Sequence, residues 1–102
     1  MTDRELLELA SKACGLEGAK MRIEFNQWNP LTDDGDALRL AVKLHMMLDF
    51  IKDGVWFERY KQNHVVAVGD GESHYESIEH DPLAATRRAI TRAAAEIGRN
   101  MK

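Results

Sequence analysis

Residues 28–44, WNPLTDDGDALRLAVKL, crowd a tryptophan, a proline, three aspartates and a glycine into their first nine positions before a helical rhythm sets in. Pro30 has no N–H for a ladder and forces Asn29 into an extended shape, so a strand arriving from upstream must end by Trp28. Thr32 or Asp33 can cap the helix that follows. Asp33, Asp34 and Asp36 then place carboxylates where the helix dipole is positive. The competing reading is a divalent-cation loop. An EF-hand spreads its ligands over about twelve residues and closes on a bidentate glutamate. This stretch lacks that glutamate, so helix capping is favoured and no metal is assigned.

Downstream, Ala37, Leu38, Leu40, Ala41, Leu44 and Leu48 spread over a broad arc, with Arg39 and Lys43 on the narrow opposite face. So wide a stripe predicts a central helix buried on more than one side, with His45 at the edge of the core. Upstream, Met21, Ile23 and Phe25 alternate with Arg22, Glu24 and Asn26, the period of a half-buried strand. The chain opens on Thr2-Asp3-Arg4-Glu5, a capping-box pattern, and Gly15 offers a left-handed stop to the helix between them.

Beyond Leu48 the signals turn to strands. LDFIKDGVWFERY reads as a hairpin turning at Lys52-Asp53-Gly54, with Trp56 and Tyr60 on one face and Val55 and Phe57 on the other. Residues 61–64 then turn the chain into a strand at 65–68. A flexible loop follows at 69–73. Its Gly-Asp-Gly leads into no helix and no Lys-Ser or Lys-Thr pair, which favours a plain turn over a phosphate cradle. His64, His74 and His80 lack the spacing of a zinc protease and stay unassigned. The last helix has the clearest signature. Asp81 caps, Pro82 takes the first helical position, and the pattern runs to about Arg99. Leu83, Thr86, Ile90, Ala93, Ala94, Ile97 and Met101 fill one face, and Arg87, Arg88, Arg92 and Arg99 gather on the other.

At 102 residues, 44% of them hydrophobic and 30% charged, the chain suits a single domain over 1–102 with one core. The opening residues have no apolar h-region, and no stretch of eighteen apolar residues occurs, which predicts neither secretion nor a membrane span. Cys14 is the only cysteine. It suits a reducing cytoplasm and reads as a small buried hydrophobe. Net charge is -3, but the chain is uneven: from Asp81 onward five Lys/Arg stand against two Asp/Glu, and before it nine stand against fifteen.

WNPLTDDGDALRLAVKL and DPLAATRRAITRAAAEIG, taken as an ordered pair, resemble the small bacteriophage proteins grouped as the phage ABA sandwich domain. The likeness covers most of residues 28–98. It implies a layered helix/sheet/helix fold and a phage or prophage origin, hence action in the host bacterial cytoplasm. It implies no activity and no catalytic or binding residue.

The expected fold is therefore α+β, a layered sandwich of three helices with a mostly antiparallel sheet of three to five strands. No nucleophile–base pair, ligand set or nucleotide loop is visible, so no catalytic residue, metal or cofactor is assigned. The expected function is non-enzymatic binding of a host or phage protein, of a small ligand, or of a second copy, with modulation of a host factor as one form of it. Trp28, Trp56 and Tyr60 are the candidate contact residues, because exposed aromatic clusters mark interaction surfaces. The alternative is nucleic-acid binding through Arg87, Arg88, Arg92 and Arg99. It is the less favoured, since the body is acidic and no aromatic residue interleaves with those arginines.

Overall fold

The computed structural model describes residues 1–56, 60–69 and 72–101, the side chains of 52–56 and 60–63 excepted. The element order is α1 (Asp3–Cys14), α2 (Ala19–Glu24), α3 (Asp34–Lys43), β1 (Met47–Trp56), β2 (Tyr60–Val68), β3 (Ser73–Ser77) and α4 (Pro82–Arg99). The fold is α+β and layered, as expected. Its three strands are antiparallel in the order β1-β2-β3.

Local chemistry sets the helix ends. Thr2 Oγ1 accepts from the Glu5 N–H at 3.1 Å, and Gly15, at φ 66°, closes α1 by donating to the Lys12 carbonyl. Only a residue without Cβ adopts that conformation at no cost. At the start of α3, Asp33 accepts from the Asp36 N–H at 2.8 Å, and Asp81 accepts from the Ala84 N–H at 3.0 Å to open α4. The predicted bounds of α4 agree with the observed ones.

Four expectations need correction. Residues 21–25 form no strand: Ala19–Glu24 is a short helix, which makes four helices among the described residues where three were expected. Only Ile23 of its apolar trio is buried, while Met21 and Phe25 are exposed. A helix satisfies its own backbone groups and so needs no neighbouring strand, and Lys20, Met21, Arg22 and Glu24 are all good helix formers. Next, Lys52-Asp53-Gly54 is not a hairpin turn. β1 runs through it with a register shift: Ile51 pairs with His64 and Gly54 with Gln62, three steps on β1 against two on β2. The extra residue makes this a bulge, another conformation that Asp-Gly readily supplies. The β1–β2 connection at 57–59 lies outside the described residues. Residues 61–64, expected as a turn, belong to β2. Lastly, α3 stops at Lys43 and His45 takes a positive φ of 53° on the surface, which moves Leu48 from the predicted helix into β1.

α4 organises the core because three of its sides are covered. Ala85, Ala89 and Ala93 meet Val65 and Ala67 of β2. Ile90 and Ala94 join Leu7, Ala10, Ile23, Trp28, Ala37 and Leu40 in the helical cluster. Gly98 lies against the backbone of Leu9, where a methyl group would run into the Leu9 carbonyl. The row of alanines lets the sheet and α1 approach one helix closely. Helices α3 and α4 are neighbours, and α1 packs on α4 and α2. No described helix is long and apolar enough to cross a membrane.

Candidate functional site

The opening segment folds into a tight shoulder on α3. Asn29 donates its N–H to Asp36 Oδ2 at 2.9 Å and accepts at Oδ1 from the Leu31 N–H at 3.0 Å, while Pro30 is fully buried. Arg39 donates to Asp36 Oδ1 at 2.8 Å, and Arg87 reaches across from α4 to Asp34 Oδ1 at 2.6 Å and to the Leu31 carbonyl at 2.9 Å. All three aspartates thus have structural partners. Among the described residues, no group of three or more histidine, cysteine or acidic side chains could hold a metal ion.

A cleft of about 490 Å³ opens beside this shoulder, between the end of α1, α2 and α3. Asp36, Arg39, Leu40 and Lys43, spaced as one helix face, form its α3 wall. Cys14, Leu16, Trp28 and Leu40 make the floor, and Arg22, Glu17, Arg39 and Lys43 stand on the rim. Among the described residues, neither Arg22 nor Lys43 forms an ion pair or a side-chain hydrogen bond. Burial pushes the Cys14 thiol up from its ordinary pKa of 9.0; backbone hydrogen bonds and the Lys43 charge oppose this in part. The thiol is therefore protonated near neutrality.

A second concavity lies where α3, α4 and β1 meet, and its lining is almost wholly apolar. Leu38 of α3, Phe50 of β1 and Leu83 of α4 are 61, 57 and 62% exposed, respectively, over a base of Ala37, Leu48 and Ile90. Among the described residues β1 is an edge strand, and its Leu48 and Phe50 line this groove.

The candidate residues fall in different places. Trp28 is 7% exposed, a core residue that shows one edge to the cleft. Trp56 and Tyr60 pair through their backbones at the end of β1 and β2, and their side chains lie outside the described residues. The four arginines do not act as one row. Arg87 pairs with Asp34, Arg88 with Asp3 at 3.2 Å, Arg92 with Glu76, and Arg99 loosely with Glu96 at 3.9 Å.

Sequence reasoning missed both concavities. Leu38 and Leu83 were read as core, and Arg39 and Lys43 as a solvated face. The over-wide stripe of α3 was the available signal, because one of its margins is uncovered. Comparison with protein-family models, with curated proteins and with solved structures finds no match to this chain.

Proposed function

We propose that the protein is a non-enzymatic protein-interaction module whose binding surface is the apolar groove between α3, α4 and β1. Its carrying observation is the exposure of Leu38, Phe50 and Leu83 around one groove beside an open strand edge. Large apolar side chains gathered in this way mark interaction surfaces, and an unpaired edge offers main-chain hydrogen bonds to an added strand. The likeness to phage ABA sandwich proteins supports an accessory role in a bacterial cell carrying a phage or prophage, extending to modulation of a host factor. That membership rests on the two sequence blocks alone.

A second copy of the chain is the simplest occupant. A two-fold axis perpendicular to the sheet beside Phe50 would pair β1 with its copy, keep the helices on one side and set the two grooves next to each other. Such an isologous contact closes both edges at once. The bulge after Ile51 confines regular pairing to the first half of β1. Sedimentation equilibrium tests this reading. A concentration-dependent dimer is expected, with Phe50→Asp monomeric and melting where the dilute parent melts. A monomer at every concentration, with the amides of Leu38, Phe50 and Leu83 unmoved in NMR spectra, would overturn it. Nucleic-acid binding has less support, because each arginine of the basic helix already faces a carboxylate.

A further inference from the structure

The cleft between α1, α2 and α3 has no part in that interaction surface, and its chemistry points elsewhere. Its volume of about 490 Å³ falls in the range of small-molecule sites, roughly 300–1,000 Å³. The floor is apolar, with the Trp28 edge, Leu16, Leu40 and a protonated Cys14 thiol. The rim is cationic. Arg22, Arg39 and Lys43 face Glu17 and Asp36, a balance of +1 on a chain whose net charge is -3.

The rim charges are not equivalent. The Asn29 N–H and Arg39 Nη2 both donate to Asp36, so that carboxylate is met and the Arg39 charge is partly offset. Among the described residues, Arg22 and Lys43 remain without a partner carboxylate, and Glu17 is the opposing charge. Two uncommitted cations over an apolar floor with an aromatic edge match a ligand that carries an anionic head on an apolar body.

We propose that this cleft binds a small organic anion, with an aryl or short acyl body against Trp28, Leu16 and Leu40 and its carboxylate or phosphate head between Arg22 and Lys43. Arg39, paired with Asp36, supports the wall and does not grip the ligand. Since both cations project into water, the head-group contact is screened by salt, and the apolar body supplies much of the affinity.

NMR titration of the amide and indole N–H signals tests the assignment, with benzoate, phenyl phosphate, inorganic phosphate and benzyl alcohol as probes. Concentrations up to about 10 mM reveal a dissociation constant near 1 mM. Saturable shifts at Gly15, Leu16, Gln27 and the Trp28 indole are expected with benzoate or phenyl phosphate; whichever binds tighter identifies the head group. Replacing Arg22 and Lys43 together by glutamine should weaken that binding about tenfold, and thermal melts check that this variant, altered only at exposed positions, stays folded. Equal binding of benzyl alcohol would overturn the charge assignment. Equal binding of inorganic phosphate would overturn the role of the floor. Shifts confined to Leu38, Phe50 and Leu83, or no saturable shift, would overturn the site. Because the cleft and the groove report through different residues, either proposal can fail without the other.

Discussion

Gly98 of α4 faces the backbone of Leu9 in α1 with no room for one more carbon atom between them. Gly98→Ala must therefore push α1 away from α4 or distort one of the two helices. A loss of about 1–3 kcal/mol is expected, the usual cost of overpacking, despite the better helix propensity of alanine. Urea unfolding checks this, and a gain in stability would mean that the two helices slide apart freely.

Leu40 is 2% exposed and sits in the helical cluster with Trp28, Ile90 and Ala94. Leu40→Ala is expected to lower stability by about 2–5 kcal/mol. Denaturant melts measure it.

Arg87 is the one arginine of α4 whose side chain is mostly buried, and it serves the Leu31 carbonyl and the Asp34 carboxylate together. Arg87→Ala should cost about 1–3 kcal/mol, the worth of a charged hydrogen bond whose acceptor is then stranded. Arg87→Lys should recover less than half, because an ammonium cannot reproduce the fork. Arg99→Ala, at an exposed and loose pair, should stay within about 1 kcal/mol. Equal losses at the two sites would show that Arg87 is not a tie between α3 and α4.

Asp33 caps α3, and Asp36 holds both the Asn29 N–H and Arg39. Asp33→Ala should lower stability by about 0.5–2 kcal/mol without unfolding the chain. A thermal-shift titration with calcium, magnesium or manganese should leave the parent melting temperature unchanged. A saturable rise that the Asp33→Ala, Asp36→Ala pair abolishes would mark a metal site in place of a cap.

His74 Nε2 is buried and has no hydrogen-bond partner among the described residues. Burial first and the Arg92 charge second hold its pKa below the ordinary 6.5, and Glu72, Glu96 and Glu76 pull weakly upward. The unfolded chain then takes up the proton more readily than the folded one. Stability is full above the unfolded value and is lost as pH falls from about 6.5 towards the lower folded value. Urea midpoints should decline over that window, and His74→Gln should decline less. Parallel curves would show that other groups carry the acid sensitivity.

What could be read in advance followed from how local the cause was. Asp81-Pro82 and the cap at Asp33 depend on neighbours within a turn, so α4 and the start of α3 were legible. Met21, Ile23 and Phe25 were misread because five residues of alternation fit a strand or one exposed turn of helix, and only packing around Ile23 decides. Asp53-Gly54 is a pair that turns and bulges both favour, and the two residues alone do not say which one forms. The groove escaped notice for a different reason: an apolar stripe tells that a face avoids water and not which neighbour covers it, so Leu38 and Leu83 looked like Leu40 and Ile90. The cleft needs the end of α1 beside Arg39 and Lys43, a meeting that no local pattern encodes.

The first helix of the chain is covered by the last. Leu6, Leu7 and Ala10 of α1 find their shelter on α4, and Lys12 donates to the Met101 carbonyl at 3.0 Å. During synthesis at about 5–20 residues per second, residue 99 follows residue 14 by roughly 4–17 s, so the side of α1 that α4 buries is the last to be covered. For that interval one apolar side of α1, the side that meets α4, stays open to water.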